Sequence, residues 1–195
     1  VQSLILSPTR ELALQIHDEL KKIGKYTNLE IVSVFGGSEI EKQIKDIKRG
    51  ANIVVGTPGR VQDLIRRKVL KLKDVEFLVL DEADEMLNMG FIEDIENILK
   101  ETPEDKQTAL FSATMPSDIK KIASFYMRHD YKHVEIKSKT KTATSVTQYY
   151  FEASQQHKFE VLCRILDSRV MESTLIFCKT KRSVDEVVAA MQQKH

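Results

Sequence analysis

The sequence predicts an α/β protein, with a mostly parallel sheet covered by helices on both faces. Short apolar runs recur along the 195 residues and alternate with stretches whose apolar residues follow helical spacing. The runs show no polar face, which is typical of strands buried between two layers of helices. Because each run is followed by a helix, we expect βαβ crossovers and a doubly wound sheet.

The apolar runs mark the predicted strands and helices. The predicted strands are Leu4 to Leu6, Ile31 to Phe35, Ile53 to Val55, Phe77 to Leu80, Thr108 to Phe111, Val134 to Ile136, Val146 to Phe151 and Thr174 to Cys178. The predicted helices are marked by Leu12, Ala13, Ile16, Leu20 and Ile23, by Ile40, Ile44 and Ile47, by Ile92, Ile95, Ile98 and Leu99, by Phe159, Leu162, Cys163 and Leu166, and by Val184, Val187 and Val188. Strand and helix therefore alternate along most of the chain.

A polar and basic stretch interrupts this alternation. Residues 137 to 147 read KSKTKTATSVT and have no apolar periodicity, which is typical of a linker between domains. We therefore expect a first domain over residues 1 to 136, the linker over 137 to 147, and the start of a second α/β domain over 148 to 195.

The composition is that of an ordinary globular protein. Apolar residues make up 42% of the chain and charged residues 30%, so a core can form and disorder is not expected. The 30 basic residues nearly balance the 29 acidic ones, and a nucleic-acid site would have to be a local arrangement of donors. No uncharged apolar stretch approaches about 20 residues, so no membrane partner is expected.

The cysteines and histidines show no metal-binding pattern. Cys163 and Cys178 lack CxxC spacing, and the histidines lack an HExxH arrangement. A cytoplasmic protein with reduced, buried thiols and no structural metal is therefore expected.

Three predicted strand ends are followed by turns rich in hydroxyls or glycine, where ligands of parallel sheets bind. These turns are Ser7 to Arg10, Gly36 to Ser38 and Thr57 to Arg60. Each places a hydroxyl at a predicted N-cap, Ser38 with Glu41 predicts a capping box, and Pro58 suits a first helical position. Plain helix capping is therefore an alternative to a ligand role at each turn.

Taken together, the three turns favour an anionic ligand. Helix N-termini on one sheet edge direct their free N–H groups and positive dipole ends the same way, which suits a row of phosphates. Gly37 permits close approach of the backbone. Arg10 and Arg60, in the first helical turns, oppose the helix dipoles unless an anion compensates.

Acidic residues and hydroxyls follow the next two strands. A carboxylate directly after an apolar strand, here Asp81, is where nucleotide-hydrolysing enzymes hold magnesium, and a second one, here Glu82, can position the attacking water. The alternative is an acidic helix start favoured by the dipole. Ser112 and Thr114 follow the next strand on the same edge as Asp84, with capping of the helix after Pro116 as their alternative role.

Motifs at these junctions resemble those of the DEAD-box ATP-dependent RNA helicases. PTRELA at 8 to 13, GG at 36 and 37, TPGR at 57 to 60, DEAD at 81 to 84 and SAT at 112 to 114 occur in the order of that family, and LIFCKTKRSVDE at 175 to 186 is similar to its next motif. The resemblance covers essentially the whole chain. It implies a RecA-like first domain that lacks its phosphate-loop strand, followed by the beginning of a second RecA-like domain.

The resemblance also implies roles for individual residues. Asp81 would hold Mg²⁺ through water, and Glu82 would orient the water that hydrolyses ATP. Asp84 would link to Ser112 and Thr114 and so couple the ATP state to the RNA state. The residues expected to line the RNA backbone are Pro8, Thr9, Arg10, Gly36, Gly37, Thr57, Gly59 and Arg60, with Thr180 and Lys181 from the second domain.

Some of the family's motifs are expected outside this chain. The GxGKT-type phosphate loop would precede the strand at Leu4, and the motifs with arginine fingers would follow His195. The expectation is thus a parent protein that uses ATP and Mg²⁺ to bind RNA and open short duplexes, and a 195-residue chain that is inactive by itself. The alternatives are a non-enzymatic module that binds the RNA backbone and a DNA-acting relative.

Overall fold

The chain forms two compact units. The computed structural model describes residues 1 to 136, 146 to 168 and 172 to 194. The units are Val1–Val134 and Glu135–His195, and each is considered by itself. Most of the predicted linker, at 137 to 145, lies outside the described residues, so the domain bounds remain a prediction.

The first unit alternates strands and helices as the sequence predicts. Its strands are β1 (Ser3–Leu6), β2 (Ile31–Val34), β3 (Ile53–Gly56), β4 (Phe77–Leu80) and β5 (Gln107–Leu110). Its helices are α1 (Arg10–Ile23), α2 (Ile40–Lys48), α3 (Pro58–Arg66), α4 (Ala83–Asn88), α5 (Ile92–Lys100) and α6 (Ser117–Tyr126). The second unit contains α7 (Lys158–Asp167) and α8 (Lys181–Lys194).

The strands form one five-stranded sheet in the order β2-β3-β1-β4-β5. Every pairing is parallel, and the strands begin and end in register, since Leu6 lies between Gly56 and Leu80. The predicted parallel α/β class is therefore confirmed. Because the carboxyl ends are level, the turns that follow the strands lie along one edge.

Both faces of the sheet are covered, as the all-apolar strands predict. Leu4 and Leu6 belong to the larger core, which contains residues of α3, α5 and α6. Val55, on the opposite face, packs in a smaller cluster with Ala13 of α1. Successive strand residues point to opposite faces, and each face must be apolar when helices cover both.

Gly56, the last residue of β3, is required by close packing. A Cβ atom at this position would lie 2.5 Å from the carbonyl oxygen of Val34 and 2.9 Å from a methyl group of Val61. Since real Cβ atoms do not approach a backbone oxygen so closely, any side chain here would push β2 or α3 away. The glycine thus fixes how α3 begins, directly after Thr57.

Three predicted strands are wrong. Within the described residues 135 to 136, 146 to 168 and 172 to 194, the second unit contains helices and no strand, and Val134 is also outside any strand. A strand forms only where a neighbouring strand completes its ladder of hydrogen bonds. The apolar side chains of these predicted strands are largely exposed, as for Phe177, which is 88% exposed, and so burial does not hold them in a sheet.

The predicted burial of the thiols holds for one of the two cysteines. Cys163 on α7 is buried and Cys178 is half-buried, and neither forms a disulfide. Among the described residues, no helix is both long and apolar enough to cross a membrane.

Candidate functional site

The carboxyl edge of the sheet brings together most of the predicted site residues. On one side lie Asp81, Glu82 and Asp84 after β4, with Ser112 and Thr114 after β5; we call these five residues the acidic half. On the other side lie the predicted backbone-binding residues of the first unit, which we call the donor half. Its members are Pro8, Thr9, Arg10, Gly36, Gly37, Thr57, Gly59 and Arg60.

Asp84 is hydrogen-bonded to the turn after β5. Its carboxylate oxygen Oδ2 accepts from the backbone N–H of Thr114 at 2.9 Å and from the Thr114 hydroxyl at 2.7 Å. In return, the Asp84 N–H donates to Ser112 Oγ at 3.2 Å, and the Ser112 hydroxyl donates to the Thr114 carbonyl at 2.6 Å. The structure therefore forms the contact that the sequence motifs imply.

These hydroxyls do not cap the following helix. The N-cap of α6 is Pro116, and no side chain donates or accepts a capping hydrogen bond there. The capping alternative for Ser112 and Thr114 is thus wrong, because both hydroxyls are already directed into the bonds around Asp84.

The hydrogen bonds also hold Asp84 ionised. Partial desolvation alone would raise the pKa of the Asp84 carboxyl, but hydrogen bonds from the Thr114 hydroxyl and from backbone N–H groups outweigh it and lower the pKa below its ordinary value. A carboxylate that accepts several hydrogen bonds is stabilised in its charged form. Asp84 is therefore an anion at neutral pH.

Glu82 has a strained backbone next to Asp81. Its φ of 49° and ψ of 52° lie in the left-handed region, which is uncommon for a residue other than glycine. The Asp81 carboxylate accepts the Glu82 N–H at 3.0 Å, and the N–H of Ala83 donates to the Phe111 carbonyl at 3.0 Å. Such strain, about 1–3 kcal/mol, persists where surrounding bonds impose it, often at functional sites. The Glu82 side chain remains exposed.

An open cavity of about 560 Å³ lies at the acidic half. It is lined by Asp81, Glu82, Asp84, Glu85, Phe111, Ser112 and Ala113. Carboxylates that face an accessible cavity suit a hydrated cation and a ligand that carries it.

In the donor half, the turn after β1 presents an arginine. Thr9 is the N-cap of α1, and its hydroxyl accepts the Leu12 N–H at 3.2 Å, so its predicted capping role is correct. Arg10, in the first turn, lies with its guanidinium 4.9 Å from the centre of the Phe35 ring. That distance is within the range of cation–π attraction, which fixes the side chain without neutralising it.

The turn after β2 does not form the predicted capping box. The N-cap of α2 is Glu39, with no side-chain hydrogen bond, and the Ser38 hydroxyl donates instead to the Phe35 carbonyl at 3.2 Å. Ser38 Oγ in turn accepts from Gln43 Nε2 at 2.6 Å. The hydroxyl is therefore engaged by a nearer carbonyl and a buried amide. With Glu39 as the N-cap, Glu41 stands at the second helical position, whereas a capping box needs the third.

The turn after β3 places Arg60 close to that of β2. Thr57 is the N-cap of α3 and Pro58 its first residue, as predicted, although the Thr57 side chain makes no capping bond. Arg60 donates through Nη1 to Gln43 Oε1 at 2.9 Å and through Nη2 to the Ser38 carbonyl at 3.3 Å. Because uncharged acceptors already contact this guanidinium, its place at the start of a helix does not by itself require an anion.

The remaining predicted residues differ in exposure. Gly36, Gly37 and Gly59 are exposed, and Gly37 has a φ of 73°. Pro8 is buried, so its part in the site is to shape the turn. In the second unit, the Thr180 hydroxyl accepts the Ser183 N–H at 3.1 Å at the start of α8. The neighbouring Lys181 is exposed.

Sequence reasoning missed Gln43 and the ring of Phe35. Gln43 lies on the apolar face of α2 defined by Ile40, Ile44 and Ile47, and it is 6% exposed. A buried polar side chain needs hydrogen-bond partners. Its place on an apolar helix face could therefore have indicated from the sequence that Gln43 bonds to the neighbouring turns.

The fold and this edge define a parallel α/β protein with a ligand site at the carboxyl ends of its strands. A family model described as DEAD/DEAH box helicase matches residues 1–122. That match covers more than half of the chain, and the chain belongs to this family.

Curated relatives and solved structures agree with this assignment. The chain is 52% identical over 192 residues to the DEAD-box ATP-dependent RNA helicase CshA of Streptococcus pneumoniae serotype 4, covering 98% of this chain and 36% of the relative. It is 50% identical over 194 residues to the ATP-dependent RNA helicase CshA of Listeria monocytogenes, covering 100% and 37%. The chain thus spans about a third of the length of these relatives.

The fold is similar to that of a DEAD box protein from the hyperthermophile Methanococcus jannaschii. The TM-score is 0.68 with 46% sequence identity, over 99% of this chain and 51% of that one. A hypothetical ATP-dependent RNA helicase from Sulfolobus tokodaii gives a TM-score of 0.64 with 42% identity, over 68% and 39%.

Proposed function

We propose that this chain is part of an ATP-dependent RNA helicase that couples ATP hydrolysis to RNA binding and local opening of duplexes. The proposal rests on one observation: the acidic half and the donor half lie along the same edge of the sheet. Within the acidic half, Asp84 after β4 is hydrogen-bonded to Thr114 after β5. Family membership and the names of the relatives support the substrates. ATP would be bound at the acidic half and the RNA backbone at the donor half.

The acidic half fits a magnesium ion bound with a nucleotide. Mg²⁺ prefers oxygen ligands, and Asp81 supplies a carboxylate at the cavity. Among the described residues, no group of three histidine, cysteine or acidic side chains converges as a metal site, so an ion at Asp81 would keep most of its waters. When bound, the ion would neutralise charge that develops on the transferring phosphoryl group.

Glu82 is the proposed base for the attacking water. Its exposed carboxylate lies beside Asp81 and lines the cavity, so it can accept a hydrogen bond from a water and then its proton. The left-handed backbone of Glu82 sets the direction of its side chain. If φ relaxed to an ordinary negative value, the carboxylate would move relative to Asp81 and Ala83.

Asp84, Ser112 and Thr114 are the proposed coupling residues. They tie the helix that begins after Glu82 to the turn after β5, so that a shift of either one moves the other. Coupling between sites needs such a physical connection with two arrangements.

The donor half is the proposed track for RNA. Exposed glycine amides and helix N-termini suit phosphates and sugars, and they offer few side chains to read base edges. Binding should therefore depend little on RNA sequence. Thr180 and Lys181 of the second unit are also proposed to bind RNA. We propose the cytoplasm as the compartment, given two unbridged cysteines.

The test is the nucleic-acid dependence of ATP hydrolysis by the full-length protein. RNA of arbitrary sequence should stimulate hydrolysis, and matched DNA should not, since a 2′-hydroxyl offers an extra partner to closely approaching loops. Equal stimulation by DNA would identify a DNA-acting enzyme, and RNA binding without any hydrolysis would identify a binding module.

A further inference from the structure

Gln43 lies between the turns of the donor half. It is on α2, its side chain is buried, and an amide at such a place needs both donor and acceptor partners. Nε2 donates to the Phe35 carbonyl at 3.1 Å and to Ser38 Oγ at 2.6 Å. Oε1 accepts from Arg60 Nη1 at 2.9 Å. One side chain therefore connects the turn after β2 to the first turn of α3.

The third turn joins this set through an aromatic ring. Phe35, whose carbonyl is held by Gln43, is 8% exposed and lies under the guanidinium of Arg10. Phe35 and Gln43 thus connect the turns after β1, β2 and β3 to one another. Neither residue was among the predicted site residues.

The partners of both arginines are uncharged. Among the ion pairs of the described residues, none involves Arg10 or Arg60, whose contacts are a ring, an amide oxygen and a carbonyl. A carboxylate at either place would fix the arginine and also neutralise it. A ring or an amide fixes it and leaves its full charge for a ligand.

Donors of Arg60 also remain after these contacts. A guanidinium has five N–H donors, and the bonds to Gln43 and Ser38 use only two of them. Arg60 is half-buried, so the remaining donors can face an anion from the solvent side.

We propose that Gln43 is a positioning residue for RNA binding: it holds Arg60 against the turn after β2 while preserving the charge of Arg60. This inference rests on the proposed function of the donor half. It adds a residue that does not itself contact RNA and that acts through Arg60.

The experiment is a salt titration of single-stranded RNA affinity with the full-length protein. Gln43→Met retains the shape of the side chain and removes the amide; Phe35 keeps a hydrogen bond from Ser38, so its carbonyl is not left unpaired. We expect affinity to fall roughly tenfold at low salt, as for loss of one bond to a charged group. The slope of log affinity against log salt should also fall, by up to about 0.7, because Arg60 no longer meets its phosphate reliably.

Two further variants separate positioning from packing. Gln62→Met is the matched control, because Gln62 is also buried and accepts from an arginine, Arg66, on its own helix. It should leave the salt slope unchanged. Gln43→Glu should lower the slope, since a carboxylate would neutralise Arg60 in place.

A double-mutant cycle gives the decisive outcome. In an Arg60→Ala background, Gln43→Met should change RNA affinity less than twofold, because its target is gone. Additive losses, or an equal slope change from Gln62→Met, would show that Gln43 is merely structural and overturn the inference. Absence of RNA binding by the wild type, or an unchanged slope in Arg60→Ala alone, would reject the proposed function and the inference with it.

Discussion

The acidic half and the donor half hold charges of opposite sign at the same sheet edge. In the acidic half, a charged residue, Asp84, accepts hydrogen bonds from the neutral groups of Thr114, while Glu82 remains exposed. In the donor half, Arg10 and Arg60 are held by a ring, an amide and a carbonyl. In both halves, uncharged groups thus hold a charged side chain without neutralising it: an anion, Asp84, in one half and two cations in the other.

The largest expected effect separates hydrolysis from binding in the acidic half. Glu82→Gln in the full-length protein should lower ATP hydrolysis roughly 10²- to 10⁴-fold, because an amide cannot accept the proton of the water. Binding of ATP and RNA should persist, as the shape and hydrogen bonds are retained. Asp81→Asn is the comparison, and it should weaken nucleotide affinity as well. Equal and mild effects of the two changes would mean that their roles are misassigned.

The next effect tests whether the acidic half communicates with RNA. Replacing Ser112 and Thr114 together by alanine removes the hydroxyls around Asp84. We expect duplex unwinding to fall about tenfold, the size of a typical coupling free energy, while ATP hydrolysis changes little. Parallel loss of both activities would assign the hydroxyls a purely structural part.

The donor half should respond in RNA affinity alone. Arg60→Ala should lower the log–log salt slope for single strands by about 0.7, since one phosphate contact is lost. Two unrelated RNAs should lose affinity equally, and ATP hydrolysis at saturating RNA should be retained. Loss for only one RNA sequence would indicate base reading and contradict a backbone track.

The smallest effect concerns the ionisation of Asp84. Desolvation alone would raise its pKa, but the hydrogen bonds from Thr114 exceed that effect and lower it. The stabilisation is therefore present above the pKa of the unfolded chain and is lost as pH falls through the folded pKa. In Thr114→Val, a carboxyl ¹³C titration should find the pKa of Asp84 higher than in the wild type. An unchanged pKa would show that the hydroxyl does not stabilise the carboxylate.

The strands of the first unit could be predicted to within about one residue. Runs such as Ile53 to Val55 are apolar on both faces, and their burial needs no knowledge of distant partners. The strand predicted at Thr174 to Cys178 failed because a strand depends on neighbours that composition does not reveal. Similarly, the Ser38 capping box failed because a nearby carbonyl and the buried amide of Gln43 engaged the hydroxyl.

The parts of the site that belong to sequence motifs could be predicted, and the residues outside the motifs could not. The contact between Asp84 and Thr114 followed from the resemblance, and the structure forms it. The bracing by Phe35 and Gln43 depends on side-chain directions across three turns. Only the polar character of Gln43 on an apolar helix face indicated it beforehand.

The central place of β1 has a consequence for how the protein folds. β1 pairs with β3 on one side and with β4 on the other, and all of these partners are distant along the chain. The long chain segments between these strands must close, at a cost in entropy, before the strand contacts can stabilise the fold. Sheets of this kind therefore form slowly. The β2-β3 pair and the β4-β5 pair are joined into one sheet only through Ser3–Leu6. A folding intermediate in which both halves already share one edge while β1 is unpaired is therefore not expected.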